Sequence, residues 1–176
     1  ETEFRTFQEE VARVSGSLSF LQTQHQSAVS LIAKGSNGEL KTTYLPKMAD
    51  EKFVGIGFSQ LRRPGLPIMR AEETDGGFIL EGHVPWVTGW TFYPEFLVGA
   101  ALPDGRSVFA LAPLTEERGV KISPPMKLAA MESAMTVAVD FENFFVPFER
   151  VSNIAEPNWI KKNDQINVAL QRHFAL

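Results

Sequence analysis

The spacing of apolar side chains along the chain changes near residue 52. Before that point they recur every three or four residues, which is the period of an amphipathic helix. Two such stripes are present, one formed by Phe4, Phe7, Val11 and Val14, and a second formed by Leu18, Leu21, His25, Ala28 and Ile32. The pattern predicts two helices, the second ended by the Gly-Ser-Asn-Gly sequence at residues 35–38.

From residue 53 to residue 146 the chain consists of short alternating or apolar runs separated by Gly, Pro and Asp. Such runs are typical of β-strands. Strands are predicted at residues 53–59, 68–74, 78–85, 95–102, 107–113, 120–123 and 135–146. The Pro-Asp-Gly-Arg sequence at residues 103–106 predicts a hairpin between two of them.

After Pro157 the helical period returns, with Ile166, Leu170 and Phe174 on one face. We therefore expect an α+β fold in which an antiparallel, barrel-like β-domain is flanked by helices. The predicted domains are residues 1–51, the end of a helical domain; residues 52–151, the β-domain; and residues 152–176, the start of a second helical domain. Because neither end carries a helix cap or terminator, we expect the chain to be a piece of a longer protein.

Composition excludes several classes of function. The net charge is −4 and lysines and arginines do not cluster, so nucleic acid is not the expected partner. No apolar run approaches the roughly 18 residues of a membrane span. The absence of cysteine removes thiol nucleophiles and cysteine-ligated metals. The histidines have no partners at metal-ligand spacing, and we predict no metal site.

The stretch Trp86-Val87-Thr88-Gly89 suggests a binding site for a flat heteroaromatic group. A flavin ring is apolar on its faces and carries hydrogen-bonding atoms on its rim, so it needs an aromatic surface and donors. Trp86 supplies the surface, and Thr88 returns to the same side of the strand two residues later. Ser59, near the end of an earlier strand, offers a second hydroxyl. A tryptophan before a turn is more often part of a core, so the flavin needs further support.

That support is a resemblance to a known family. Its landmarks are Leu45-Pro46, Asp75 to Gly82 leading into Trp86, Gly119 to Ile122, and Val139 to Pro147. With these landmarks in this order and spacing, residues 41–151 resemble the middle β-domain of the acyl-CoA dehydrogenase family with parts of its flanking helices. The fold is then expected to be a fragment of the acyl-CoA dehydrogenase fold.

The resemblance implies an FAD-dependent oxidoreductase that dehydrogenates an acyl-CoA thioester, or another small molecule, at its α,β-bond. It implies contacts to FAD from Ile56, Phe58, Ser59, Trp86, Val87 and Thr88. The family's catalytic glutamate lies in a C-terminal bundle outside this chain, so no catalytic residue is assigned, and the chain alone is expected to bind FAD weakly and to be inactive. A homo-oligomer, dimer or tetramer, is implied, in the cytoplasm or, in a eukaryote, the mitochondrial matrix.

Two departures from the family pattern keep other functions open. Where the family usually reads Thr-Glu-Pro followed by Gly-Ser-Asp, this chain reads Ser59 to Gly65, with Gln60 in place of the carboxylate. Where the family often has Gly and Arg before the last strand, residues 129–133 have neither. The alternatives are a flavin-dependent monooxygenase or hydroxylase of the same fold, and a scaffold domain that has lost the flavin.

Overall fold

Two long helices and a short one form the first part of the molecule. The computed structural model describes residues 2–49 and 51–172. Helix α1 spans Thr2–Val14 and α2 spans Gly16–Lys34, which confirms both predicted helices. A third helix, α3 (Gly38–Tyr44), was not predicted, although Asn37 caps it by accepting a hydrogen bond from Leu40 N–H. Asparagine is a preferred N-cap residue and was the available signal.

Eight strands follow, and they include all seven predicted ones. In chain order they are β1 (Val54–Gly57), β2 (Met69–Thr74), β3 (Gly77–Thr88), β4 (Glu95–Ala101), β5 (Ser107–Pro113), β6 (Val120–Ile122), β7 (Thr136–Pro147) and β8 (Val151–Ala155). Strand β8 was not predicted. It pairs antiparallel with β5 and carries the sheet past residue 151, the predicted end of the β-domain. That domain division stays a prediction.

The strands form one mixed, open sheet. Their order is β6-β7-β3-β2-β4-β5-β8, with β1 pairing to β4. Most pairs are antiparallel, whereas β4 also pairs in parallel with β1 and β2. The α+β fold class is confirmed, but the sheet ends at β6 and β8 and is open where a barrel-like closure was expected.

Strands β4 and β5 are buried on both faces, which explains their continuously apolar sequences. On one face Phe96, Val98 and Ala110 contribute to a core enclosed by the curled sheet. On the other face Leu97 and Phe109 pack in a second core with α2, α3 and β1. The second core fixes α2 against the sheet, and this places one face of α2 opposite β1 and β3.

The last helix, α4 (Trp159–Arg172), begins against the same core. The Trp159 ring meets the Phe109 ring edge-on, with centroids 5.0 Å apart. The predicted apolar face of Ile166, Leu170 and Phe174 lies outside the residues whose side chains are described. Over the described ranges, every helix is too short or too polar to cross a membrane.

Candidate functional site

A cavity of about 780 Å³ lies between α2, the end of β1, β3, β8 and α4. This volume falls within the range of roughly 300–1,000 Å³ that is common for small-molecule sites. Its lining has an apolar part and a polar part. The apolar part consists of Leu31, Ile56, Phe58, Trp86, Phe109 and Trp159.

Four of the six residues predicted to contact FAD line this cavity: Ile56, Phe58, Ser59 and Trp86. Trp86 is 42% exposed although it belongs to strand β3 of the sheet. It lies at an irregularity of β3, where the register against β7 shifts between Val84 and Val87. A bulge of this kind redirects side chains, and here it leaves the indole ring on the cavity wall. The hydroxyl of Ser59 has no hydrogen-bond partner within the described part of the chain.

The other two predicted residues, Val87 and Thr88, have side chains that do not line the cavity. Val87 is fully buried in the core enclosed by the sheet. Thr88 is 1% exposed, and its Oγ1 lies 3.1 Å from Oγ1 of Thr136 on the neighbouring strand. The structure thus brings four of the predicted residues together and holds these two in the protein interior. Their contact with a cofactor stays a prediction.

A tyrosine ties the end of β3 to α2. Gly89, which follows Thr88, has a φ of +100°. The backbone N–H of Tyr93 donates a hydrogen bond to the carbonyl oxygen of Gly89 at 2.8 Å. The Tyr93 ring packs so close to Gly89 that no side chain would fit there. Its hydroxyl donates to Leu21 O of α2 at 2.6 Å. Burial raises the pKa of Tyr93 to about 12, because the phenolate would lose its hydration.

His25 is a structural residue of α2, as its place on the apolar stripe suggested. Its Nδ1 accepts a hydrogen bond from Val54 N–H at 3.1 Å, and its Nε2 donates to Met48 O at 2.8 Å. Both ring nitrogens are therefore used in fixing α2 to the start of β1. The other described histidine, His83, pairs with Asp140 at 2.6 Å on the exposed face of the sheet, away from the cavity lining.

Gln60, which replaces the carboxylate of the family pattern, faces the interior. It is 4% exposed, and its Nε2 donates to Gly99 O at 2.7 Å and to Gly57 O at 3.3 Å. Its Oε1 is buried without a hydrogen-bond partner. The amide holds the turn that carries Ser59 against β4 and is not part of the cavity lining. This substitution therefore does not itself alter the surface that a ligand would touch.

The polar part of the lining comes largely from α2, through Thr23, Gln24, Gln26, Ser27, Ser30 and Lys34. Sequence analysis missed these residues because a polar helix face opposite an apolar stripe usually faces solvent. The sequence signal available for the α2 residues was the i, i+4, i+7, i+11 spacing of Thr23, Ser27, Ser30 and Lys34.

Across the cavity, Arg62 makes a bidentate ion pair with Asp164 of α4, with both N···O distances 2.8 Å.

Comparison with known proteins shows which ones this chain resembles. No protein-family model matches the chain. Over 151 residues it is 27% identical to the mitochondrial isovaleryl-CoA dehydrogenase of Arabidopsis thaliana, covering 81% of this chain and 37% of the relative. Over 157 residues it is 27% identical to a probable acyl-CoA dehydrogenase of Mycobacterium leprae, covering 85% of this chain and 40% of the relative. The resemblance to the acyl-CoA dehydrogenase family is confirmed.

Solved structures of acyl-CoA dehydrogenases share the fold. An acyl-CoA dehydrogenase complexed with FAD from Bacillus anthracis has a TM-score of 0.71 at 24% identity, over 89% of this chain and 28% of its own. A glutaryl-coenzyme A dehydrogenase in complex with glutaryl-CoA has a TM-score of 0.72 at 19% identity, over 85% and 40%. The chain spans about 37 to 40% of the length of the curated acyl-CoA dehydrogenases it matches.

Proposed function

We propose that this chain is the flavin-binding part of an FAD-dependent oxidoreductase of the acyl-CoA dehydrogenase type. When bound, the flavin would accept the β-hydride of an acyl-CoA thioester, while the α-proton passes to a base that is not assigned within this chain. Assembly into a dimer or tetramer is part of the same proposal. The plant relatives are mitochondrial by name, which supports the mitochondrial matrix as the location if the host is a eukaryote.

The observation that carries the proposal is the exposed Trp86 ring on the wall of a cavity that also holds Ile56, Phe58 and Ser59. An indole of which two fifths is exposed offers an apolar face to a flat ring. Beside it, the unpartnered hydroxyl of Ser59 can donate to a rim atom. The residues present therefore fit the ring of a flavin in shape and in hydrogen-bonding character.

The roles of this chain's own residues follow from their positions. Trp86 and Ile56 would exclude water from the ring, and Ser59 would orient it by a hydrogen bond. Gln60 would keep Ser59 in place, since its amide joins that turn to β4. Tyr93 would hold the α2 wall at a fixed distance from β3 through its bond to Leu21. None of these residues is placed to act as the base.

The monooxygenase alternative draws less support than the sequence suggested. It rested partly on Gln60 in place of a carboxylate, and that side chain is buried away from the cavity. The other departure from the family pattern, the lack of Gly and Arg at residues 129–133 before β7, still supports this alternative.

The test is anaerobic mixing of the complete flavin-loaded protein with a panel of acyl-CoA thioesters. A dehydrogenase loses the visible absorbance of its oxidised flavin on mixing with its substrate and releases an enoyl-CoA. A monooxygenase keeps its oxidised flavin under these conditions and needs an external reductant and oxygen. A purified protein without flavin that does not take it up would leave only the scaffold alternative.

A further inference from the structure

The charges on the cavity wall are all of one sign. Of the described residues that line it, only Lys34 and Arg62 are ionisable, and both are cations. The chain as a whole has a net charge of −4, so an acid-free lining does not follow from composition. A cavity lined by one sign of charge attracts ligands of the opposite sign.

The two cations differ in their partners. Arg62 is neutralised by its bidentate pair with Asp164. Lys34 has no carboxylate within ion-pair distance in the described part of the chain. A lysine in the last turn of a helix is also favoured by the helix dipole. The dipole explains the charge at the end of α2 and leaves unexplained why the surrounding lining is polar and free of acids.

Two polar side chains without hydrogen-bond partners among the described residues line the cavity together with Lys34. Ser30 precedes it by four residues and therefore lies on the same face of α2. Asn153 of β8 lines the same cavity, next to Ser152, whose backbone carbonyl accepts the N–H of Ser36 just after α2. The side chains of Ser30 and Asn153 make no hydrogen bond within the described residues. Their hydroxyl and amide groups can donate to an oxyanion that also contacts an ammonium group.

We infer that Lys34, with Ser30 and Asn153, forms a subsite for an anionic group, a phosphate or a carboxylate, of a ligand bound in this cavity. The inference deepens the proposed function by giving the ligand a charged end at the α2 and β8 side of the cavity. The source of the anion is either a phosphate of the cofactor or a carboxylate of the substrate. In both cases the charged end lies apart from the apolar end of the cavity.

The experiment compares ligands with and without the ring and with and without the charge. Riboflavin and FMN share the ring and differ by one phosphate group, while pyrophosphate and glutarate have no ring. Each is titrated against the complete deflavinated protein by NMR, with two signals that every variant keeps as probes: the side-chain amide of Asn153 and the indole N–H of Trp86. The variants are Lys34→Gln, the charge-preserving Lys34→Arg, and the control Lys162→Gln, an exposed lysine of α4 outside the cavity lining.

If the subsite binds phosphate, the complete protein binds FMN about tenfold more tightly than riboflavin, the scale of a hydrogen bond to a charged group. Lys34→Gln removes that difference and leaves riboflavin binding unchanged, whereas Lys34→Arg and Lys162→Gln keep it. The difference also shrinks as salt is added, because Lys34 is exposed. If the subsite binds carboxylate, glutarate shifts the Asn153 amide signal and pyrophosphate does not.

The inference is overturned if Lys34→Gln binds all four ligands as the unaltered protein does, including the case in which neither ring-free anion binds. Failure of the proposed function gives a different result. Riboflavin then does not bind, while the ring-free anions still shift the Asn153 amide signal and lose that effect in Lys34→Gln.

Discussion

Replacing Tyr93 with phenylalanine tests how the α2 wall of the cavity is held to β3. The hydroxyl is 2.6 Å from Leu21 O, and the side chain is only 6% exposed. A net contribution of about 1 kcal/mol is typical of one such hydrogen bond. Tyr93→Phe keeps the ring that packs on Gly89, so we expect a loss of about 1 kcal/mol in the free energy of unfolding near neutral pH.

The same hydroxyl makes the effect depend on pH. Burial raises the pKa of Tyr93 from 10.0 to about 12 in the folded chain. The folded state therefore keeps a proton that the unfolded chain releases. This stabilisation is complete below the unfolded pKa and is lost as pH rises through the folded one. About one unit above the unfolded pKa the loss reaches about 1.4 kcal/mol.

Urea unfolding followed by circular dichroism, at about pH 8 and about pH 11, measures this difference. The phenylalanine variant lacks the titration, so its disadvantage of about 1 kcal/mol at pH 8 should vanish or reverse at pH 11. Comparing the two proteins at each pH cancels the titration of the other groups. A difference between them that stays the same at both pH values would show that the Tyr93 hydroxyl is not buried as described.

Two further predictions concern the backbone around the cavity. Gly89→Ala should lose at least about 2 kcal/mol of stability in a denaturant titration, since it combines a positive φ with a clash against Tyr93. Gly16→Ala is the control and should be neutral in the same titration, because the added methyl group meets open space. Gln60→Glu should lower the free energy of unfolding by about 3 kcal/mol at neutral pH, because a buried carboxylate would face two carbonyl oxygens. In an unfolding series toward acid pH, much of that loss should be recovered as the carboxylate is protonated. Equal destabilisation at all pH values would contradict this prediction.

Much of the sheet could be predicted because its strands carry strong local signals. Strands β4 and β5 are continuous apolar runs, and a hairpin turn joins them at residues 103–106. Strand β8 is a mixed sequence, Val-Ser-Asn-Ile-Ala, that neither alternates nor forms an apolar run. It is a strand because β5 offers it an edge. That tertiary cause has no local sequence signal.

The candidate site, like the sheet, was predicted only in part. Sequence alternation predicted Trp86 and Thr88 on one side of β3, but only Trp86 lines the cavity. It could not show that Thr88 meets Thr136 across the sheet, because this depends on the register of β7. The polar face of α2 was also out of reach. Whether Ser30 and Lys34 face solvent or a cavity is decided by where β8 and α4 lie.

The central claim is that the Trp86 ring is a platform for a flavin. Its most direct test is the affinity of the complete protein for FAD, measured by calorimetric titration of the deflavinated protein and its Trp86→Ala variant. We expect the variant to lose about 1–3 kcal/mol, or about five- to 150-fold in Kd, the scale of uncovering a large aromatic side chain. The control variant Phe92→Ala should bind FAD normally, because Phe92 is an exposed aromatic residue outside the cavity lining. Equal affinity of Trp86→Ala and the unaltered protein would contradict the account.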